Sequence, residues 1–275
     1  WRLDQSERVS GYSDDFFNNF ISTLRDTDFI CYPYVKELKE KIAKHHNING
    51  IDNIFLTPGS DQAIKTMFDL CVDPGSEVLT TNPCFPMYNV YSELYQARLK
   101  SVNYDKNLEW SVGDMIKSIT DKTSLIIIAN PNNPIGDYKK PSELVDLFIY
   151  TQERGIPILV DEAYVQFVPS HYGTCITKGF KFQNVVTCRT FSKALGGAGV
   201  RIGYMITNKP FMEKIEKWRF MHEVTGIASK FGSYIMDNYS EVDNYIDSTN
   251  YEKHLLIEFT QRRFYERNYK WIKFN

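Results

Sequence analysis

The chain has 275 residues, which is enough for one large α/β domain or two smaller ones with a sizeable buried core. Its hydrophobic content of 43% and charged content of 24% are ordinary for a globular protein. A net charge of −2 argues against a polyanionic partner, so nucleic acid is not expected.

The cysteines and the apolar segments indicate a soluble cytoplasmic protein. The five cysteines are scattered without a CxxC pair, which argues against a disulfide framework or a zinc site and fits a reducing compartment. Apolar runs such as Leu125–Ala129 are too short to span a bilayer, so no membrane association is expected. The first ten residues carry charges where a signal peptide requires an apolar core.

The first 30 residues have the composition of a polar arm with one modest amphipathic helix around Asp14–Leu24. In Tyr34–His45, apolar residues recur at helical spacing, which predicts a second helix. Strand-like and helix-like segments then alternate along the chain. This alternation predicts an α/β fold in which helices sandwich a mostly parallel sheet.

The element pattern also divides the chain. The predicted strands are Ile54–Thr57, Glu77–Thr81, Leu125–Ala129, Ile156–Val160, Val185–Cys188 and Ile202–Ile206. The predicted helices are Asp61–Cys71, Cys84–Tyr95, Pro141–Arg154 and Tyr251–Tyr265. We expect an N-terminal arm (residues 1–30), a large domain (31–235) and an incomplete small α+β domain (236–275), whose residues 269–275 begin a strand.

The segment Thr57–Gln62 (TPGSDQ) is a strand-turn-helix junction. The first amides of a helix are unpaired, so this junction can bind an anion such as a phosphate. An ordinary junction with a serine cap has the same pattern, so this segment alone does not decide between the two.

Two later segments place polar residues at the carboxyl ends of buried strands, where open α/β sheets bind ligands. Asn130–Gly136 (NPNNPIG) forms an elaborate turn, which an ordinary loop could also explain. Asp161 ends an apolar strand, and Tyr164 follows three residues later. A buried carboxylate needs a cationic or hydrogen-bonded partner, whereas a solvent-facing strand end needs none.

The segment Thr190–Arg201 combines two hydroxyls, an amine and a guanidinium around a glycine-rich turn. The hydroxyls and Arg201 suit a phosphate, and Arg201 falls in an apolar strand pattern where an unpaired charge is costly. Lys193 beside such a site can form a Schiff base with an aldehyde cofactor. A lone lysine would instead be a solvated surface residue.

Taken in order, the motifs YP, PGSDQAI, NPCFPMY, PNNPIG, VDEAY and TFSKALGGAGVRIG resemble the fold-type I pyridoxal-5′-phosphate (PLP) enzymes. The resemblance is to class I/II aminotransferases close to the histidinol-phosphate aminotransferase family, and it runs from about Asp4 to the end of the chain. It implies a PLP-dependent transferase fold and a homodimer with shared active sites. It also implies a C-terminal small domain, so we expect the sequence to be truncated.

The resemblance assigns a role to each matching position. Lys193 would carry PLP as a Schiff base, and Asp161 would pair with the pyridine nitrogen. Asn133 and Tyr164 would hydrogen-bond the phenolic oxygen of the cofactor, and Phe85 would stack on its ring. The groups expected to hold the phosphate are the amides of Ser60 and Asp61, the hydroxyls of Thr190 and Ser192, Arg201 and, from the neighbouring subunit, Tyr32.

The implied reaction is ping-pong transamination between an amino acid, or a phosphorylated amino compound, and a 2-oxo acid. Lys193 would act first as covalent anchor and then as general base and acid, with Asp161 and Tyr164 completing the catalytic set. The Asn-Glu-Asn-Pro segment common in the family corresponds here to Gln5–Arg8 (QSER), which leaves the substrate open. Arg8 in the arm favours an anionic substrate, unless it pairs with Glu7 or Asp4 at the surface.

Other readings share part of this pattern. A PLP-dependent decarboxylase of a phosphorylated amino acid would use the same cofactor residues. A PLP-binding regulatory module without turnover is disfavoured by the intact set of Lys193, Asp161, Asn133 and Tyr164. A nucleotide-binding domain is disfavoured because no GxGxxG or GxxxxGK[ST] motif opens a helix.

Overall fold

The computed structural model describes residues 4–218 and 221–266. The strands are β1 (Ile54–Thr57), β2 (Glu77–Asn82), β3 (Arg98–Asn103), β4 (Thr123–Ala129), β5 (Ile158–Asp161), β6 (Val185–Thr190) and β7 (Gly203–Ile206). The helices are α1 (Asp14–Ser22), α2 (Thr27–Ile30), α3 (Lys36–His45), α4 (Gly59–Cys71), α5 (Met87–Leu94), α6 (Val112–Ser118), α7 (Val145–Gln152), α8 (Cys175–Gly179), α9 (Lys209–Ile215), α10 (Gly226–Asp237) and α11 (Ser240–Glu266).

The seven strands form one sheet in the order β1-β7-β6-β5-β4-β2-β3. Every neighbouring pair is parallel except those made by β7, which runs antiparallel to both β6 and β1. The predicted mostly parallel sheet is therefore confirmed. Because β7 is reversed, its first residue lies beside the last residues of its neighbours: Gly203 pairs with Thr57 and with Thr190.

Helices cover both faces of the sheet, as its alternating side chains require. In β4, Leu125 and Ile127 pack with the buried residues of α4, α5 and α9, whereas Ile126 and Ile128 point to the opposite face. There they join residues of α6 and α7, and the neighbouring part of that face is covered by α1, α3 and α10. The core thus lies on both sides of the central strands.

Several element boundaries differ from the predictions. Helix α4 begins at Gly59 with Pro58 at its N-cap, so Ser60 lies in the first turn and is not the cap. Helix α7 begins at Val145 and not at the predicted Pro141, and residues 141–144 form turns. The final helix is longer than predicted, and the strand expected at residues 269–275 lies outside the described residues.

Candidate active site

A cavity of about 620 Å³ opens at the carboxyl ends of the parallel strands. Ten of the candidate residues line it together, although they come from five separate sequence motifs. They are Ser60, Asp61, Phe85, Asn133, Asp161, Tyr164, Thr190, Ser192, Lys193 and Arg201. The fold therefore brings together all of the predicted site residues except Tyr32.

One corner of the cavity brings together groups that can hold an anion. Helix α4 presents its first amides there, and the guanidinium of Arg201 lies across the start of the helix, with Nη2 donating to the carbonyl of Pro58 at 3.3 Å. Gly59 has a φ of +81°, and a Cβ at this position would lie 2.6 Å from Nη2 of Arg201. Glycine is thus required both by the backbone conformation and by the close approach of the guanidinium.

The expectation that Arg201 lies within a strand is wrong. Its backbone is left-handed, with a φ of +59°, strand β7 begins two residues later, and its side chain is exposed. Nη1 of Arg201 donates to the hydroxyl of Ser192 at 3.2 Å, and that oxygen lies 2.9 Å from the hydroxyl of Thr190. The predicted cluster of two hydroxyls and one guanidinium therefore exists, but a turn and not a strand presents Arg201.

Asp161 ends β5 at the floor of the cavity and is buried. Its Oδ1 accepts from the amide of Ala163 at 3.1 Å and lies 3.6 Å from Sγ of Cys188, and its Oδ2 accepts from the hydroxyl of Tyr88 at 3.0 Å. Burial raises the pKa of Asp161, and these hydrogen bonds and the nearby Lys193 amine oppose that rise. A carboxylate in this position favours a cationic partner in the cavity.

Lys193 and the aromatic and amide groups occupy the other side of the cavity. Nζ of Lys193 donates to the carbonyl of Gln5 at 2.9 Å and lies 5.4 Å from the ring centre of Tyr164. Nδ2 of Asn133 donates to the hydroxyl of Tyr164 at 3.3 Å. Phe85 lines the same cavity at the start of the α5 region. A planar ligand between these groups would meet an amine, an amide, a phenol and a phenyl ring.

The N-terminal arm contributes to the cavity differently from the prediction. Its residues Asp4, Gln5 and Ser6 line the cavity, whereas Arg8 does not. The guanidinium of Arg8 is sandwiched between two aromatic rings, with its central carbon 4.1 Å from the ring centre of Tyr12 and 4.2 Å from that of Tyr245 in α11. Arg8 is therefore placed to anchor the arm to the final helix and not to contact a ligand in the cavity.

Tyr32 does not line the cavity. Its side chain is 79% exposed, and its ring stacks on His222 with 4.2 Å between ring centres. Its hydroxyl is thus not available to the phosphate corner of the same chain.

Two features of the site were missed from the sequence. The first is Tyr88, whose hydroxyl reaches Asp161 from α5. The second is a buried ion pair directly behind Asp161, in which Nε and Nη2 of Arg189 donate to Oε2 of Glu162 at 2.9 and 2.8 Å. The hydroxyl of Thr174 bridges both partners. The parallel register of β5 and β6, which pairs Asp161 with Cys188, places Glu162 next to Arg189, and the sequence alone does not show that register.

Comparison with known proteins identifies the class. A family model described as aminotransferase class I and II matches residues 23–254. Histidinol-phosphate aminotransferase 2 of Oceanobacillus iheyensis is 32% identical over 262 residues, which cover 94% of this chain and 70% of that protein. The histidinol-phosphate aminotransferase of Clostridium novyi is 30% identical over 261 residues, covering 94% and 71% of the two chains.

The solved structures agree in fold. The histidinol-phosphate aminotransferase of Sinorhizobium meliloti, determined in complex with pyridoxal-5′-phosphate, superposes with a TM-score of 0.77 at 22% identity and covers 91% of this chain and 68% of that one. A Thermus thermophilus aspartate aminotransferase double mutant gives a TM-score of 0.82 at 17% identity, covering 95% and 71%. These superpositions show that the chain has the fold of these aminotransferase structures.

The chain belongs to the class I and II aminotransferase family, and it is a PLP-dependent aminotransferase. These similarities favour the enzyme over the regulatory module without turnover. The residues present fit the cofactor, because Gly59 leaves room for Arg201 at an anion-binding helix start and the buried Asp161 faces the same cavity. Within residues 4–218 and 221–266, none of the helices combines the length and apolar character that a membrane crossing requires.

Proposed function

We propose that this aminotransferase moves an amino group between a phosphorylated or otherwise anionic amino compound and a 2-oxo acid, with PLP held covalently by Lys193. The observation that carries the proposal is the convergence of ten motif residues on one cavity. The relatives named above act, by their names, on histidinol phosphate, which supports a phosphorylated amino compound. Arg8 is no longer part of the explanation, because it does not line the cavity.

The cofactor would lie between the two walls of the cavity. Asn133 and Tyr164 would donate to its phenolic oxygen, and Phe85 would stack on its ring. The groups proposed to hold its phosphate are the amides of Ser60 and Asp61, the hydroxyls of Thr190 and Ser192, and the guanidinium of Arg201. Five donors in a partly enclosed corner would bind a dianion strongly and in one orientation, because each charge-assisted hydrogen bond is stronger than a neutral one.

When bound, PLP supplies an electron sink for charge that develops at the substrate α-carbon. Asp161 would hold a proton on the ring nitrogen, since a buried carboxylate stabilises an adjacent cation. Lys193, once released from its covalent role, would carry a proton to and from the α-carbon. The arm residues that line the cavity, Gln5 among them, would limit the access of water.

Covalent attachment tests the central assignment. Borohydride reduction of the PLP-loaded protein followed by peptide mapping should place the cofactor on Lys193. Asp161→Ala should fold yet lose roughly 10² to 10³ in turnover, because a preorganised electrostatic partner is typically worth about 2.7–4 kcal/mol. Modification of a different lysine, or near-normal turnover of Asp161→Ala, would refute the corresponding role.

The donor class is tested by half-reactions with single amino compounds, monitored by the loss of absorbance of the loaded enzyme. Anionic compounds should react rapidly, whereas leucine and phenylalanine should react slowly. Rapid reaction with leucine or phenylalanine and none with anionic compounds would overturn the proposed class. Measuring the 2-oxo acid product against released carbon dioxide separates transamination from decarboxylation.

We also propose a homodimer in which Tyr32 reaches the phosphate of the neighbouring subunit. Support comes from an exposed apolar patch around this residue, in which Phe29, Ile30 and Tyr34 are 61–76% exposed and Met221 is 83% exposed. Sedimentation should show a dimer. Mixing Tyr32→Phe with Lys193→Ala subunits should restore activity, since a heterodimer then has one site free of both lesions. No recovery after subunit exchange would argue against shared sites.

Two further proposals concern organisation and location. The division into an arm (1–30), a large domain (31–235) and the start of a small domain (236–275) is supported by the position of the sheet, all of which lies within residues 54–206. A reducing cytoplasm is supported by the five cysteines, which are all free thiols.

A further inference from the structure

Tyr88 connects helix α5 to the floor of the cavity. It lies three residues after Phe85, and its side chain is fully buried. Its hydroxyl donates to Oδ2 of Asp161 at 3.0 Å across 73 positions of sequence. Burial raises the pKa of Tyr88 well above its ordinary value, so its hydroxyl keeps its proton and remains a donor throughout the working range of the enzyme.

We propose that Tyr88 is a positioning residue that keeps the Asp161 carboxylate ionised and fixed in orientation toward the ring nitrogen of PLP. The electrostatic part of this inference concerns Tyr88 and Asp161 alone. The part that concerns the cofactor rests on the function proposed above for Asp161.

The groups that face Asp161 come from four separate segments of the chain. Oδ1 accepts a hydrogen bond from the amide of Ala163 at 3.1 Å and lies 3.6 Å from Sγ of Cys188 on β6. The amine of Lys193 lies nearby. Oδ2 has the hydroxyl of Tyr88. Burial raises the pKa of Asp161, and the Tyr88 hydrogen bond is the strongest of the opposing effects.

Burial makes the charged form of a carboxylate less favourable, and hydrogen bonds to the charged form offset part of this effect. Tyr88→Phe keeps the ring and its packing but removes the donor to Oδ2. The charged form of Asp161 then becomes less favourable, while its protonated form is little affected. The effect of the substitution must therefore depend on pH, which the loss of a purely structural contact does not require.

The first experiment follows the free energy of unfolding of the full-length protein without added PLP as a function of pH. Because the native pKa of Asp161 is raised, its contribution to stability is fully present below the unfolded pKa, which is near 3.8, and is lost as the pH rises through the native pKa. In Tyr88→Phe that loss should be larger and extend to higher pH. The wild type and the variant should thus have similar stability in acid and diverge toward neutral pH.

Two comparisons isolate the cause. Tyr138→Phe removes another tyrosine hydroxyl, which donates to the backbone carbonyl of Gly173 at 2.7 Å, so its loss should not depend on pH. In an Asp161→Asn background, the pH-dependent effect of Tyr88→Phe should disappear, because the titrating partner is gone. Cys188→Ala, which removes the weaker sulfur contact, should shift the profile in the same direction by less and provides a second variant if Tyr88→Phe does not fold.

The second experiment titrates PLP into the same proteins at neutral pH. Tyr88→Phe should bind PLP roughly tenfold more weakly, since the hydrogen bond that favours the charged form of Asp161 is lost. The acidic limb of its kcat/KM–pH profile should move to higher pH, with little change in KM. A pH-independent loss of stability in Tyr88→Phe, or a pH-dependent loss that persists beside Asp161→Asn, would overturn the inference. Normal PLP affinity and turnover in Asp161→Asn would instead refute the role proposed for Asp161, and the inferred effect of Tyr88 on the ionisation of Asp161 would still stand.

Discussion

Replacing Arg189 with methionine leaves the Glu162 carboxylate buried without its counter-ion. Both side chains are almost fully enclosed, Arg189 at 7% and Glu162 at 0% exposure. The substitution removes two charge-assisted hydrogen bonds to Glu162 and one to Thr174, whereas the amide of Cys175 still donates to Oε1 of Glu162 at 2.6 Å. Breaking a buried pair by removing one partner costs about 3–5 kcal/mol, and we expect a loss in that range for Arg189→Met.

Urea unfolding monitored by circular dichroism provides the measurement, with Lys36→Met as the matched control. Lys36 pairs with Glu40 at 3.6 Å, and both side chains are more than half exposed, so that pair should contribute less than about 1 kcal/mol. The double variant Arg189→Met/Glu162→Gln should be more stable than Arg189→Met alone, because the unpaired charge has been removed. An Arg189→Met protein as stable as Lys36→Met would refute the expected cost of leaving Glu162 buried without its counter-ion.

Three further predictions concern single positions. Gly59→Ala should weaken PLP binding, because its Cβ would displace Arg201. Gly75→Ala is the control: Gly75 also has a positive φ, but a Cβ there would have no neighbour within 4 Å, so this variant should lose about 1–3 kcal/mol of stability and bind PLP normally. Arg8→Ala should release the N-terminal arm to limited proteolysis and raise KM more than it lowers kcat, because the contacts of Arg8 with Tyr12 and Tyr245 are lost. An unchanged cleavage rate would contradict the anchoring role of Arg8. His46→Gln should flatten the fall in stability below about pH 6.5, since burial lowers the pKa of His46 and the unfolded chain therefore takes up its proton first; equal slopes in the two proteins would contradict this.

The central strands could be predicted from the sequence because they are buried on both faces. The run at Leu125–Ala129 is continuous and apolar, the run at Val185–Cys188 is interrupted only by Thr187, and both lie within observed strands. Strand β3 (RLKSVN) was not predicted, because it lies at the edge of the sheet and only Val102 of its residues is buried. Its polar sequence reflects that exposed position.

The chemical residues of the site were predictable where a motif carried them, and their supporting residues were not. Lys193, Asp161 and Arg201 belong to short segments with recognisable spacing, and the structure places all three in one cavity. Tyr88 ends the motif NPCFPMY, but its supporting role was not predicted, because its partner is 73 positions away and only the packing of α5 against the sheet brings the two together. Arg201 was assigned to the wrong element, since Ile202 and the residues of β7 extend the apolar pattern to its side.

The reversed strand β7 has a consequence for how the site assembles during folding. Strands β6 and β7 are consecutive, adjacent and antiparallel, so Thr190, Lys193 and Arg201 belong to one hairpin. Its loop is short, because β6 ends at Thr190 and β7 begins at Gly203. Short loops close at a small entropic cost and in short times. The contact between Arg201 and Pro58, by contrast, must join segments 143 positions apart. We therefore expect the half of the phosphate corner carried by this hairpin to organise before helix α4 docks, so that the arginine is already in place when the helix start arrives.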